Sequence, residues 1–215
     1  MKLISLQKPH FQRSTKKSLL YLMINANKNS TKVIDLLASS AESEIKGTES
    51  YLAERVSEIN NDISLTEDEK ENLLCWIADD LVLPNQGLNL AKELQIIALS
   101  AKTEIFINRI CSFSGCFTKK QLKNIYKSYN FKQIFRTVFN IDISTLHGHS
   151  EFIELRELNN CIKHSGYVNK ELSKHGTWIN KKRIEPTECI NAYNRLKPNI
   201  IIFTEEIGYL LIKHS

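Results

Sequence analysis

Apolar residues recur at intervals of three and four along most of the chain, which is the spacing of an amphipathic helix. Residues 30–60 show it first, with a cap-like Ser30 or Thr31 at the start. Their apolar series includes Val33, Ile34, Leu37, Ile45, Leu52 and Val56. The spacing predicts either one long helix or two abutting helices, with Gly47 as the weak point.

Two further helices are predicted before residue 114. Thr66 is followed by an acidic turn, which is typical of a helix start, and this helix should stop before Pro84. A long helix should follow at about residues 88–113. Its apolar positions cover much of the circumference, so we expect this helix at the centre of the bundle.

The second half of the chain continues the helical pattern with more interruptions. Residues 114–116 should end the long helix, Thr118 should start another, and residues 131–140 should again be helical. A loop or short turn is expected at 141–150, and then a helix at 151–163. Gly166 suits a left-handed helix end, because glycine has no Cβ to clash at positive φ.

The segment 176–187 reads GTWINKKRIEPT, which predicts a short irregular β-hairpin near residues 176–185. Thr187 should cap a last helix, and Pro198 should kink or interrupt it. The chain has only 7 Gly and 4 Pro, which is sparse for a protein of strands and turns. We therefore predict an all-α helical bundle that forms one domain over residues 1–215.

Composition indicates the cellular compartment of the protein but says little about its activity. The net charge of +5 permits a nucleic-acid partner without requiring one. Five cysteines without a C-x-x-C pair favour buried thiols in a reducing compartment over disulfides or zinc. The apolar run at 18–24 is too short to cross a membrane, and Glu205 and Glu206 split the late apolar segment. We expect a cytoplasmic protein with no membrane partner.

The predicted helix at 151–164 separates into two faces. Its core face comprises Phe152, Leu155, Leu158, Cys161 and Ile162, and its polar face carries Arg156, Asn160, Lys163 and His164, with Glu157 at the margin. Guanidinium and ammonium groups bind phosphate oxygens, an imidazole exchanges a proton near neutral pH, and an amide holds a hydroxyl. A charged outer face with a histidine near a helix C-terminus is also ordinary in a scaffold.

The stretch ELRELNNCIKHSG, residues 154–166, resembles the last motif of the HEPN superfamily (higher eukaryotes and prokaryotes nucleotide-binding). That motif has an arginine, usually followed by a polar residue such as asparagine, and then a histidine. The resemblance implies a helical bundle whose motif helix lies at a homodimer interface. It also implies a metal-independent endoribonuclease that leaves cyclic phosphates, acting as a toxin or effector of a toxin–antitoxin or defence system.

The family's histidine falls on His164 and its polar residue on Asn160, whereas its arginine position falls on Asn159. Arg156 is separated from His164 by seven residues, and the family pattern has four to six. Either Arg156 binds the phosphate from one turn back, or the motif is degenerate and the domain is an inactive dimerisation or interaction module.

The candidate site follows from these assignments. The catalytic candidates are Arg156, Asn160 and His164, and the substrate-binding candidates are Asn159, Lys163, Lys181, Lys182 and Arg183. We expect no metal and no cofactor. The resemblance implies a homodimer, RNA, and an antitoxin or defence-system protein as partners.

Four other residues carry weaker expectations. His147 and His149 lack acidic or cysteine partners at ligand spacing, so they should lie in a solvated loop, although they could line the same cleft as the motif helix. Trp76 is expected in the core, and the surroundings of Trp178 are left open.

Overall fold

A computed structural model of the protein describes residues 8–125 and 128–215, with side chains described at 15–125 and 131–215. Helices account for most of the described residues, which confirms the all-α prediction. They are α1 (Lys8–Ser30), α2 (Lys32–Asn61), α3 (Glu67–Asp79), α4 (Val82–Ser114), α5 (Lys119–Asn124), α6 (Ser128–Phe139), α7 (His149–His164) and α8 (Pro186–His214).

Local signals place most helix ends where the sequence predicts them. Thr66 caps α3 by accepting a hydrogen bond from the Glu69 amide, and the Glu69 carboxylate accepts one from the Thr66 amide. Thr118 and Gln121 form the same reciprocal cap on α5. α4 ends at Gly115, whose φ of 66° is left-handed. α2 passes through Gly47 without a break, so one helix forms and not two.

The predicted start of α4 at residue 88 is six residues late. Pro84 lies in the first turn of α4, where an amide has no intrahelical partner, so the proline does not separate the helices. The centre of the bundle is predicted correctly. α4 packs against α2, α7 and α8 and buries eleven side chains between Ala91 and Ser114.

α2 runs antiparallel to α3 and α4 in a constant register. Gln95 Nε2 donates to the carbonyl of Ile34 at 3.2 Å, and 25 residues earlier Lys70 Nζ lies 3.4 Å from the carbonyl of Asn60. Going back 25 residues from Gln95 to Lys70 is matched by going forward 26 residues along α2, from Ile34 to Asn60. The antiparallel register is therefore the same in both places, and α3 continues the line of α4 along α2. We name α2, α3 and α4 as far as Leu94 the helical arm.

The helical arm buries one seam and leaves its other faces in water. α3 has no buried residue, and Trp76 is 71% exposed, so the prediction that Trp76 lies in the core is wrong. Two helices side by side can cover only the faces they turn to each other. α2 therefore packs against only one side of α3, and apolar side chains on the other side, such as Trp76, stay exposed.

The body of the molecule surrounds α4, α7 and α8. Buried side chains from α1, α4, α6, α7 and α8 form one continuous apolar cluster that includes Phe135, Phe152, Tyr193 and Phe203. Gly208 allows Ile24 of α1 to approach α8 closely, because a Cβ at that position would collide with the Ile24 side chain. No described helix combines the length and the apolar character needed to cross a membrane.

α8 differs from the prediction at its start and in its middle. Glu185 caps it through a reciprocal pair of hydrogen bonds with Glu188, and Pro186 occupies the first turn, so Thr187 is not the cap. Pro198 lies inside a continuous helix and does not interrupt it. Leu196 and Ile200 on either side are both buried, which holds the two halves of the helix against the same core.

The β-hairpin predicted near residues 176–185 does not form. Leu172–Lys174 and Gly176–Trp178 are short 3₁₀ turns, and Arg183 pairs instead with Tyr167 in an isolated antiparallel bridge. The reason is Trp178, which is fully buried and pulls the segment inward, whereas a hairpin would have held it extended.

The cysteines follow the prediction in part. All five are free, and Cys111, Cys161 and Cys189 are buried, as expected. Burial raises the pKa of Cys189 to about 12, so this thiol stays protonated at neutral pH. Cys75 is exposed on α3, where the sequence pattern had suggested a buried position.

Candidate functional site

At its C-terminal end, α7 buries its apolar face and leaves its polar face exposed to solvent. Phe152, Leu155, Leu158 and Cys161 are buried against the bundle, as predicted. Asn160, Lys163 and His164 are exposed. The helix ends where the amides of Ser165 and Gly166 both donate to the carbonyl of Cys161, at 3.1 and 2.8 Å. Gly166 has a φ of 68°, which confirms the left-handed end.

The bridge between Tyr167 and Arg183 brings a second basic segment to this helix end. The amide of Val168 donates to the carbonyl of Lys182 at 3.0 Å, and the amide of Ile184 donates to that of Gly166 at 2.9 Å. Arg183 donates to the Tyr167 hydroxyl at 2.8 Å, and its guanidinium carbon lies 5.1 Å from the centre of the tyrosine ring. Residues far apart in sequence thus form one patch.

We name this patch the α7-end surface. Its six members are all exposed, and they are Asn160, Lys163, His164, Tyr167, Lys182 and Arg183. Of two nearby carboxylates, Glu188 pairs with Lys181, whereas Glu157 accepts a 3.4 Å hydrogen bond from the neutral Asn169 amide and keeps its charge. The exposed cations Lys163, Lys182 and Arg183 outnumber this one carboxylate, and the surface also carries an aromatic ring and an amide.

Lys181 does not join the α7-end surface, although the sequence grouped it with Lys182 and Arg183. Its ammonium group bonds to Glu188 of α8 and lies 5.8 Å from the centre of the Trp178 ring. An ion pair and a cation–π contact both hold it toward the bundle. The basic run at 181–183 therefore splits into one lysine that contacts Glu188 and Trp178 and two cations on the α7-end surface.

Arg156 points away from His164. Its Nε lies 3.7 Å from a carboxylate oxygen of Glu104 on α4, and its guanidinium carbon lies 5.6 Å from the centre of the Phe152 ring. Side chains on a helix lean toward its N-terminus, so Arg156 reaches one turn back to Phe152. His164 lies two turns in the other direction. The predicted grouping of Arg156 with His164 is not what the structure shows.

Asn159, at the arginine position of the resembled motif, lies inside the bundle. It is 7% exposed, and its Oδ1 has no hydrogen-bond partner among the described residues. A side chain in this position supports packing and does not reach the α7-end surface. Of the two asparagines at 159 and 160, the structure brings only Asn160 to the same surface as His164.

His147 and His149 lie at the opposite end of α7. His149 begins the helix and His164 ends it, so the two are separated by about 22 Å of helical rise. His147 Nε2 is 3.2 Å from Asn199 Oδ1, and His149 packs against Phe203, where burial lowers its pKa. Neither histidine lines a cleft with His164. No group of three potential metal-ligating side chains lies together among the described residues.

A buried carboxylate that the sequence analysis missed fixes the α7-end surface in place. Glu154 is 4% exposed, and Arg195 of α8 donates to both its oxygens, at 3.0 and 2.5 Å. Trp178 Nε1 donates to Glu154 at 2.7 Å, and His175 Nδ1 lies 3.9 Å away. These contacts tie the segment before Lys182 to α7. One sequence feature could have indicated this buried carboxylate: Glu154 is an acidic residue on the apolar face of the predicted helix.

No family model, curated protein or solved structure matches the chain. The HEPN-like resemblance therefore continues to depend on the residues of α7 alone.

Replacing Arg156 by alanine is expected to lower the free energy of unfolding by about 1 kcal/mol or more, because its ion pair with Glu104 and its cation–π contact with Phe152 are lost. RNA binding should not change, since the guanidinium points away from the α7-end surface. Urea unfolding followed by circular dichroism measures the first effect. Arg136→Ala, at an exposed position on α6, is the matched control and should have little effect. Unchanged stability together with lost RNA binding would contradict this placement of Arg156.

Proposed function

We propose that this protein is an HEPN-like RNA-binding module whose contact surface is the α7-end surface. The observation that carries the proposal is the bridge between Tyr167 and Arg183. It joins the cationic end of α7 to the exposed pair Lys182 and Arg183. Without the bridge, the two basic segments would be separate and each would be an ordinary solvated surface.

The chemistry of the surface suits single-stranded RNA. Lys163, Lys182 and Arg183 supply positive charge for the phosphate backbone, which dominates the affinity of such complexes. The ring of Tyr167 is 49% exposed and can stack on a splayed base, and the neighbouring guanidinium adds a second flat face. Asn160 adds an amide that can bond to a base edge or a ribose hydroxyl.

The distribution of charge along the chain supports a polyanionic partner at the body. Between Asp35 and Asp80 lie 13 of the 24 Asp and Glu but only 3 of the 29 Lys and Arg. The rest of the chain therefore has 26 basic against 11 acidic residues. The modest net charge of +5 hides an acidic helical arm and a strongly basic remainder, which carries the α7-end surface.

Metal-independent RNA cleavage, within a toxin–antitoxin or defence system, is the second candidate function. One observation favours it: His164 and Asn160 are exposed four residues apart on the same helix face. An imidazole there can donate a proton to a leaving oxygen. The Arg156 guanidinium is directed elsewhere, so a phosphate-binding arginine would have to come from Arg183 or from a second chain. An antitoxin or defence-system protein is a partner of this candidate only.

Binding should depend on salt in the way that phosphate contacts dictate. With about three phosphates neutralised, affinity for single-stranded RNA should fall roughly tenfold or more from about 50 to about 200 mM salt. Fluorescence anisotropy of a labelled oligonucleotide measures this slope. Absence of binding at the lower salt concentration, or an affinity that does not change with salt concentration, would contradict the proposal.

The same RNA incubated with EDTA separates the two candidates. An RNA-binding module leaves it intact. Cleavage to cyclic-phosphate ends, lost on His164→Ala but kept on His214→Ala, would establish the second candidate. His214 is an exposed histidine at the end of α8 and serves as the matched control. Cleavage that both variants retain would exclude His164 as its source.

A further inference from the structure

The helical arm is an antiparallel coiled coil of two helices. The residues of α2 that it buries recur at steps of four and seven, and they are Ile34, Ala38, Ile45, Leu52 and Ile59. On α3 and α4 a series of half-buried and buried positions alternates steps of four and three, at 70, 74, 77, 81, 84, 88, 91 and 95. These are the core positions of a coiled coil. Such a pair buries one seam and leaves a flanking side to the left and to the right of it.

One flanking side of the arm is polar. Its exposed positions include Glu42, Glu49, Asn85 and Asn89. α8 adjoins this side at the base of the arm, where Lys197 donates to Asp35 at 2.6 Å. Asp35 and Leu37 are two residues apart, so their side chains point about 200° apart around α2. Leu37 therefore faces the other flanking side, away from α8.

The other flanking side is apolar. Trp76, Leu83 and Leu90 follow one another at steps of seven and are 71%, 76% and 55% exposed. Leu37 and Leu94 each directly precede an equivalent core position of the two heptad series. Antiparallel pairing places such residues on the same side of the seam. We name this surface the arm groove, and its members are Leu37, Tyr51, Trp76, Leu83, Leu90 and Leu94, all exposed within the described residues.

Two glycines lie on the same side of the arm, one on each helix. Neither Gly47 nor Gly87 has a positive φ, and a Cβ added at either would meet no atom within 4 Å. The packing of the chain itself therefore requires glycine at neither position, although glycine inside a helix is destabilising relative to alanine. Glycine on both walls would let a further helix approach the arm groove closely.

The charge of the arm groove is negative. Glu44, Glu54 and Asp80 are exposed along it. Alternating steps of four and three from 33 to 61, and again from 69 to 97, meet no lysine or arginine. Arg55, beside the first series, pairs with Glu58. A second copy of this groove, or a nucleic acid, would bring negative charge against negative charge, so the occupant that fits is basic.

We propose that the arm groove binds a basic amphipathic helix of a different protein, which completes a three-helix coiled coil with the arm. The apolar stripe of that helix would cover the exposed leucines and Trp76, and its flanking lysines and arginines would meet Glu44, Glu54 and Asp80. From Trp76 to Leu94 the groove is about 27 Å long, which matches about 18 residues of helix. The inference does not depend on RNA binding at the α7-end surface.

A designed peptide serves as the probe. It is a labelled helix of three heptads with leucine at the core positions and lysine at the flanking ones, and a second peptide of the same composition has its leucines scattered around the helix. In fluorescence anisotropy at physiological salt, the wild-type chain should bind the first peptide at least about tenfold more tightly than the second. No binding of the first peptide, or equal affinity for both, overturns the proposal.

Apolar substitutions locate the binding surface without changing charge. Leu83→Ser/Leu90→Ser should weaken binding of the first peptide at least about tenfold, with unchanged helix content by circular dichroism. Leu36→Ser/Val82→Ser is the matched control, because both residues are exposed on the same helices and lie off the arm groove. It should bind like the wild type. The same loss in both variants would show that the peptide does not use the groove.

Neutralising substitutions test the charge argument. Glu44→Gln/Glu54→Gln/Asp80→Asn should weaken binding of the first peptide about fivefold or more, since three ion pairs are lost. Glu42→Gln/Glu49→Gln/Glu71→Gln removes the same charge from exposed positions on the polar side and should have a smaller effect. Equal weakening in the two variants would indicate general attraction to an acidic arm and overturn the groove as its site.

Sedimentation equilibrium of the chain alone decides whether a second copy occupies the groove. The wild type and Leu83→Ser/Leu90→Ser should have the same oligomeric state, because the groove is reserved for a different protein. A wild-type dimer that this variant dissociates would assign the arm groove to a second copy and overturn the proposal.

Discussion

Replacing Glu154 by alanine is expected to lower the free energy of unfolding by about 2 to 4 kcal/mol, the largest stability change that we predict. The carboxylate is buried and accepts hydrogen bonds from both Arg195 and Trp178. Its loss would leave the indole N–H inside the core without an acceptor. It would also leave the guanidinium without its counter-charge, although partial exposure of Arg195 moderates that cost. Urea unfolding of the two proteins at neutral pH measures the difference.

Glu157→Ala is the matched control for this prediction. Glu157 lies on the same helix but is less buried, and its one described contact is a 3.4 Å hydrogen bond from Asn169. Its removal should cost less than about 1 kcal/mol. If the two variants unfold at the same urea concentration, Glu154 does not anchor the segment that leads to Lys182. A loosened segment should also weaken RNA binding in Glu154→Ala while leaving it unchanged in Glu157→Ala.

The helices could be predicted from the sequence because their signals are local. Thr66 and Thr118 cap helices through residues only three positions away, and Gly115 ends α4 by its own left-handed conformation. Amphipathic spacing predicts α2, α3, α4, α7 and α8, but the sequence analysis assigns no helix to the segment that forms α1. The boundary at Pro84 was misplaced because a proline is equally acceptable inside a first turn.

The site was harder to predict because its contacts are not local. Spacing placed Arg156 and His164 on one face, but it could not indicate that Glu104 and Phe152 would hold the guanidinium in the other direction. Glu154 is bound by Arg195, which lies 41 residues further along the chain, and no local sequence pattern predicts such a contact. Trp76 and Trp178 show the same limit, since periodicity identifies an apolar face without stating what covers it.

Charge reversal at the α7-end surface is expected to have the largest effect on binding. The triple variant Lys163→Glu/Lys182→Glu/Arg183→Glu should reduce affinity for single-stranded RNA at least about a hundredfold, because three phosphate contacts are replaced by repulsion. The slope of affinity against salt should also become shallower by about 2. All three side chains are exposed, so the fold should be retained.

A matched triple variant separates this surface from the overall basic charge. Lys119→Glu/Lys120→Glu/Lys123→Glu on α5 changes the net charge by the same amount, and these lysines are also exposed. Charges more than about 8 Å apart are largely screened at physiological salt, so the α5 variant should lose little affinity.

Fluorescence anisotropy of one labelled single-stranded RNA, titrated with the wild-type protein and both triple variants at physiological salt, tests the central claim most directly. We expect near wild-type affinity for the α5 variant and a loss of at least about a hundredfold for the α7-end variant. Equal losses in the two variants, or wild-type affinity in the α7-end variant, would contradict the claim that the α7-end surface binds RNA.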